Sequence, residues 1–317
     1  MEVVHTSRKS RVLVHSKLPC LAGIPTVNLS AGCAHGCLYC YAQGYCSYPG
    51  RGRVLLYANV LEELRRELGR RRRMPEAIYF SPSSDLFQPV GEVLDLAYEV
   101  LKFVLGLGIG VVFLTKGRIP KRHMDLLADH APQVRARIGI ISLERKIARV
   151  FEPHTASPKR RLRQIGELLA AGIATQARLD PILPGVTDDP DALHALCAAL
   201  AAVGVQEISA STLFLRPAVL AALRRRLGRS RTLGRLLAAF DQGKWLSTPA
   251  AQAPVLTLPA ARRRKIFGWL TAIARQHGIA VHVCGCKNPD VAAGGCHLAG
   301  PWTLQAPAQR QLALFAP

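Results

Sequence analysis

Acidic residues are in short supply. The 317-residue chain carries 21 Asp and Glu against 42 Lys and Arg, a formal net charge of +21 at pH 7. Aromatic residues are sparse as well, at 6%, which leaves few rings for a base-stacking platform. No apolar run reaches the roughly eighteen residues of a membrane-spanning helix, so no membrane partner is expected. Residues 1–17 hold scattered basic side chains and none of the apolar stretch of a secretory leader. Neither G-x-x-x-x-G-K-[ST] nor G-x-G-x-x-G occurs, which removes two familiar phosphate-cradling loops. No Ser, His and Asp stand in an order that supports a hydrolytic triad, and His5, His15, His123, His130 and His154 fit no ligand spacing.

Positive charge is present in excess, and it is clustered. One block is Arg65, Arg66 and Arg70 to Arg73; a second is Lys159, Arg160, Arg161 and Arg163. A third is Arg224 to Arg226 with Arg229, Arg231 and Arg235, and a fourth runs from Arg262 to Lys265. Such patches release counterions from a phosphate backbone, so nucleic acid is the expected partner. Solvated Arg-rich helix faces are the plainer alternative. The length suits one large α/β barrel or two average domains, and 49% hydrophobic residues supply a sizeable core. The nine cysteines cluster as ligands would, which points to a reducing cytoplasm rather than to disulfides.

The densest chemistry is Cys33-Ala-His-Gly-Cys37-Leu-Tyr-Cys40, a C-x3-C-x2-C run with no fourth Cys continuing the spacing. A ferredoxin [4Fe–4S] site binds each iron through a cysteine, so three leave one iron open to an exchangeable ligand. A zinc knuckle would pair its first cysteines with a second pair well downstream. Gly32 and Gly36 allow the tight backbone a cluster loop needs. The run, with Tyr39 and Tyr41 flanking its last Cys, resembles the radical SAM superfamily. That resemblance implies a cluster bound by Cys33, Cys37 and Cys40. S-adenosylmethionine (SAM) would sit on the open iron, and a 5′-deoxyadenosyl radical would take hydrogen from a substrate. Tyr39 and Tyr41 either pack on the adenine, relay a hydrogen atom, or serve only as rings beside the cluster. An external reductant such as a flavodoxin or ferredoxin is implied too.

Short Ile/Val-rich strands are expected at 26–30, 77–81, 110–115, 137–142, 174–179 and 206–210, as in buried parallel sheets. Helices are expected between them at 60–72, 93–105, 120–128, 159–171 and 190–202, with Gly172 and Gly204 as stops. Alternating β and α units imply a parallel sheet whose C-terminal strand ends hold the site. The fold class is therefore α/β: six units matching the partial (β/α)6 barrel of the resembled superfamily, with a C-terminal helical and Cys-containing extension. Residues 1–25 read as a strap, 26–215 as the barrel and 216–317 as the extension. In the extension a basic helix is expected over 217–240, broken near Gly228, then a loop over 241–257, a helix over 259–277 and a strand over 279–283.

The stretch from Asn28 to Tyr41 is more narrowly similar to the spore photoproduct lyase-like group, as are several segments downstream. These are Ser83-Ser84-Asp85 with Gln88-Pro89, Thr115-Lys116, Glu152-Pro153, Ser157 to Arg161, and Pro181 to Gly185. The resemblance implies SAM contacts from Ser83, Ser84, Asp85 and Lys116, with Ser142 and Arg178 as candidates for its ribose and carboxylate. An ion pair between Arg178 and Asp180 is the alternative. The lyase itself returns hydrogen from a Cys in the segment that here reads Pro82-Ser83-Ser84-Asp85, so Cys46 is the substitute candidate. Cys197 lies in an apolar stretch and reads as core.

Cys284, Cys286 and Cys296 form a C-x-C-x9-C set with His282 and His297 beside it. A second [4Fe–4S] cluster, a zinc site, or uncoordinated thiols all fit, with Cys20, Cys46 or His297 available as a fourth ligand. The leading functional reading is hydrogen abstraction from a nucleic-acid base or sugar, for lesion repair or modification. The runner-up acts on a peptide or small metabolite. A non-catalytic Fe–S or zinc protein that binds nucleic acid is the third.

Overall fold

A computed structural model describes residues 1–292. In chain order the strands are β1 (Glu2–Thr6), β2 (Val14–His15), β3 (Pro25–Val27), β4 (Ser30–Ala31), β5 (Arg53–Tyr57), β6 (Ala77–Phe80), β7 (Gly110–Thr115), β8 (Val134–Gly139), β9 (Ala174–Ile182), β10 (Glu207–Thr212), β11 (Lys244–Leu246), β12 (Val255–Thr257) and β13 (Ala280–Val283). The helices are α1 (Val60–Gly69), α2 (Gly91–Gly106), α3 (Lys121–Asp129), α4 (Arg145–Phe151), α5 (Pro158–Ala170), α6 (Pro190–Ala202), α7 (Pro217–Leu227), α8 (Arg231–Ala238) and α9 (Ala260–Gln276).

The eight-stranded sheet runs β13-β10-β9-β8-β7-β6-β3-β2, as a partial radical SAM barrel would. Every pair is parallel except β2 with β3. Its middle strands are buried on both faces, which is why they read as continuous apolar runs. One face carries the main core: Ile78, Phe80, Val111 and Phe113 lie against Val100, Leu101 and Val104 of α2. The other face is filled near β6 and β7 by the strap, whose Leu18, Cys20, Leu21 and Ile24 pack on Ala77, Tyr79 and Val112.

The helix ends follow local chemistry. The Ser157 hydroxyl accepts from Arg160 N at 3.3 Å ahead of Pro158, and Asp189 accepts from Ala192 N at 3.1 Å ahead of Pro190. Gly172 and Gly204 adopt φ of +76° and +90° as the chain turns into β9 and β10. The expected basic helix is broken at Gly228, φ +55°, and restarts behind Ser230 as α8.

Four features depart from the sequence reading. The segment 241–257, expected as a loop, contains the antiparallel pair β11–β12. Helix α4 and the small sheet β1-β5-β4 were not foreseen. The last strand, β13, joins the barrel sheet by pairing with β10.

Candidate active site

The cysteine run leaves β4 and crosses the C-terminal ends of the parallel strands. Gly32 must be glycine: its φ is +78°, and a Cβ there would lie 2.6 Å from the Arg53 carbonyl oxygen and 2.8 Å from Pro49 Cγ. Gly36 also has a positive φ, +64°. Between them His35 is buried, with Nε2 3.0 Å from Asp85 Oδ2 and Nδ1 3.1 Å from the His154 carbonyl. Gln88 holds the same loop. Its Oε1 accepts from Ala34 N at 2.8 Å, and its Nε2 donates to Ser30 Oγ at 3.1 Å.

Asp85 is a hub. Oδ1 accepts from Phe87 N at 2.8 Å and Thr115 Oγ1 at 2.7 Å, while Oδ2 accepts from Lys116 N at 2.9 Å. Burial pushes its carboxyl up, but the His35 ring, the Lys116 amide and the Thr115 hydroxyl outweigh that and leave it below its ordinary value. Both oxygens therefore already have protein donors. Ser83 N donates to Asn28 Oδ1 at 3.0 Å. The hydroxyls of Ser81 and Ser84 are buried with no protein partner, and Ser81 sits at φ +50°, a strained conformation for a non-glycine.

Tyr39 is buried and its hydroxyl donates to Glu152 Oε1. Glu152 Oε2 accepts from Arg161 Nη2 at 2.5 Å, and Arg161 Nη1 donates to the Gly139 carbonyl at 2.6 Å. Burial raises the Glu152 carboxyl; Arg161 and Lys116 more than reverse this and hold it low. Lys116 lies 5.5 Å from the Tyr39 ring centroid and crosses Gly139, where a Cβ would meet its Cγ at 2.9 Å. Tyr41 is partly exposed. Its hydroxyl donates to the Pro82 carbonyl, and the Arg216 guanidinium stands 5.7 Å from its ring.

Farther round the mouth, Ser142 accepts from Glu144 N at 3.0 Å. Arg178 pairs with Asp180 at 2.7 Å and reaches Ser209 Oγ at 3.4 Å and Cys284 Sγ at 3.9 Å. Lys287 Nζ meets the other Asp180 oxygen at 2.5 Å. The ion pair weighed as the alternative for Arg178 is thus present. Cys46 is exposed on the loop beyond the cluster run, and Cys197 is buried in α6. Cys296 and His297 lie outside the described residues.

The residues fit a cluster. Burial pushes the Cys33, Cys37 and Cys40 thiols up, so bare thiolates are disfavoured there and need a metal to hold them deprotonated. Among the described residues no three His, Cys, Asp or Glu side chains surround a point that one metal ion could occupy. A cubane makes no such demand, because it spreads its thiolates over different irons.

Residues 27–197 match the profile of the Radical SAM superfamily. The chain belongs to the radical SAM superfamily. An uncharacterized protein of Mycobacterium tuberculosis is 30% identical over 213 residues, covering 63% of this chain and 63% of that protein. The chain thus spans under two thirds of the length of that relative. A protein of Pseudomonas phage M6 described as a radical SAM Nalpha-GlyT isomerase is 29% identical over 221 residues, 68% of this chain and 45% of the relative. The fold is shared with solved spore photoproduct lyase structures. One, with bound AdoMet and dinucleoside spore photoproduct, has a TM-score of 0.69 at 18% identity, covering 88% of this chain and 81% of that one.

Several site features were hidden in the sequence. The basic block around Arg161 was read as phosphate-facing, yet Arg161 is wholly buried and Arg160 pairs with Glu167 at 3.0 Å. Arg263, in the fourth block, is also buried and paired with Asp290 at 2.6 Å. The His35–Asp85 pair was missed because its partners are fifty residues apart in sequence.

Proposed function

We propose that this protein is a radical SAM enzyme acting on nucleic acid, abstracting hydrogen from a base or sugar in repair or modification. Cys33, Cys37 and Cys40 would hold the [4Fe–4S] cluster, and Ser83, Ser84, Lys116 and Ser142 would face SAM. When bound and reduced by an external one-electron donor such as a flavodoxin or ferredoxin, these groups would supply the 5′-deoxyadenosyl radical. The chain's own contribution is placement. Asp85 and Gln88 fix the cysteine loop to the ends of β6 and β7. Glu152 and Arg161 fix Tyr39 beneath it. The partnerless hydroxyls of Ser81 and Ser84 are suited to accept or donate to a polar cofactor. Arg178, held by Asp180, positions the far wall.

The observation that carries the substrate class is a groove of about 1240 Å³ among α4, α7, α8 and α9, with Gly185 and Val186 beyond β9 and Asp188 and Asp189 also on its wall; none of the cysteine-loop or serine residues of the candidate site lines it. Lys146, Arg226, Arg235, Arg262 and Lys265 line it with Trp269. Lys265 stands 4.8 Å from the Trp269 ring centroid, and Trp269 is partly exposed, so a ring is available for a base. A shared fold solved with a bound dinucleoside spore photoproduct supports the same class. A base in duplex would have to leave its stack to reach the mouth.

Binding of a fluorescent single-stranded oligonucleotide across a salt series tests this. A steep loss of affinity with salt is expected, about 0.7 in log–log slope for each phosphate engaged. Binding that ignores salt, or none, would favour a peptide or small metabolite.

A further inference from the structure

The two opposite edges of the barrel sheet meet at a cluster of thiols. Cys20 lies in the turn Pro19–Leu21 that follows edge strand β2, and Cys284 and Cys286 follow edge strand β13. All three are reduced. Cys20 packs with Leu18 and Ala250 against the buried pair Cys284 and Cys286. Cys286 is central, within hydrogen-bonding reach of both other thiols. Sulfurs this close suit a bond between two of them, not the ligation of different irons that a second cluster would require.

Both backbones that present the sulfurs are fixed. On the β13 side Cys284 N donates to the Ala210 carbonyl at 2.9 Å, and the Cys284 carbonyl accepts from Asn288 N at 2.9 Å and Asn288 Nδ2 at 3.1 Å. Asn288 is fully buried and also donates to Ser211 Oγ at 3.1 Å. The Cys286 carbonyl accepts from Ala250 N at 3.1 Å. On the strap side Leu21 N donates to the Leu18 carbonyl at 2.9 Å and Ala22 N to the Pro19 carbonyl at 3.2 Å, two overlapping turns that contain Cys20. Leu21 and Ile24 anchor these turns on Ala77, Tyr79 and Val112. Access to the sulfurs differs: Cys20 is partly exposed, whereas Cys284 and Cys286 are buried. Arg178 Nη2 stands 3.9 Å from Cys284 Sγ.

We propose that Cys20 and Cys286 form a reversible disulfide that clasps the two sheet edges together, made by exchange with a low-molecular-weight disulfide. The partly exposed Cys20 is the attacking thiol. Its thiolate bonds to one sulfur of the outside disulfide, whose S–S bond breaks, and the released thiolate takes up the proton that Cys20 gave up. Cys286 then attacks the Cys20 sulfur, and its proton leaves with the second outside thiol. Two protein thiols are oxidised and one outside disulfide is reduced to two thiols. Excess thiol runs the sequence backwards. Cys286 resolves the mixed disulfide because it lies between the other two sulfurs, while Cys284 has the Arg178 guanidinium beside it. A pair that exchanges is compatible with a reducing compartment, where disulfides act as transient redox sensors. The clasp is independent of the substrate class.

The test uses the full chain, reconstituted anaerobically and equilibrated across a series of reduced and oxidised glutathione. After acid quench, alkylation and peptide mapping, a Cys20–Cys286 disulfide should appear as the oxidised fraction rises and vanish when excess reduced glutathione is restored. Hydrogen exchange of the amides from Leu18 to Ile24 should slow in the oxidised form, because the strap can then open only together with the loop after β13. Cys20→Ser should show neither change and leave Cys284 and Cys286 open to alkylation in the quenched protein at every ratio. It should keep the SAM-induced change in the EPR signal of the cluster, which shows that the variant folds. No disulfide at any ratio, a Cys284–Cys286 pair in its place, a glutathione adduct on Cys20 that goes no further, or zinc held by the three thiols would each overturn the clasp. Unchanged exchange in the oxidised form would overturn its role at the seam.

Discussion

His35 Nε2 lies 3.0 Å from Asp85 Oδ2, with both side chains buried, and this contact ties the cysteine loop to the ends of β6 and β7. Asp85 collects donors from the loop, from Phe87, and from Thr115 and Lys116 of the next strand end. A group that orients a ligand loop without touching metal typically carries 10–100-fold of the affinity. Asp85→Ala should therefore lower iron retention by about that factor under chelator challenge. Asp85→Asn, which keeps part of the hydrogen bonding, should fall between it and the wild type. Equal iron loss rates for all three would show that the contact does not hold the loop.

The Glu152–Arg161 pair has no exposed surface on either side chain. Removing one partner leaves an uncompensated buried charge, so Arg161→Ala should cost about 3–5 kcal/mol in urea unfolding. The pH dependence follows from the depressed carboxyl of Glu152. Its stabilisation is complete above the unfolded glutamate value, about 4.3, and is lost as pH falls through the lower folded value. In Glu152→Gln the loss of stability below about pH 4.3 should be shallower than in the wild type. Parallel acid limbs would place the titration elsewhere.

Gly32 sets the entry to the loop. Its φ of +78° and the Arg53 carbonyl 2.6 Å from a would-be Cβ leave no room for a side chain. Gly32→Ala should destabilise by about 1–3 kcal/mol and lower iron content after reconstitution. Gly52→Ala, with a positive φ of +75° but nothing within 4 Å of the added carbon, serves as a control for backbone strain alone. Matching iron content in the two variants would show that the Gly32 contact is not needed.

The groove lined by Arg226, Arg262 and Lys265 supplies the phosphate contacts in the proposed function. Replacing all three by Ala should flatten the log–log salt slope for single-stranded DNA by about 2. The Arg70-Arg71-Arg72 block lies away from this groove, and its replacement by Ala should leave the slope unchanged. The reverse pattern would move the interface to the other side of the barrel.

Much of the barrel was legible because its strands are buried on both faces. Gly110–Thr115 reads as a run of apolar residues with no competing helical period. The cysteine loop was legible because its ligands are close in sequence. Pairings between distant segments were not. β1 finds β5 some fifty residues later, and neither carries a turn signal that announces it. Helix α4 was missed because seven residues give too little period to recognise. Arg161 and Arg263 were misread because charge blocks look alike in sequence whether a guanidinium faces water or a buried carboxylate. Cys20 stood alone until the fold brought β2 and β13 to one seam.

Hydrogen transfer tests the proposed chemistry most directly. The reconstituted protein would be incubated anaerobically with SAM, dithionite and a single-stranded oligonucleotide deuterated on bases and sugars. Mass spectrometry would then read the 5′-deoxyadenosine formed. Deuterium in the 5′-deoxyadenosine, abolished in Cys37→Ala, is the expected result. Recovered SAM is read as well, because an enzyme that regenerates SAM would carry the deuterium there; deuterium in neither product whatever the labelled nucleic acid would contradict a nucleic-acid substrate, and no 5′-deoxyadenosine together with unlabelled SAM would leave no sign of SAM cleavage.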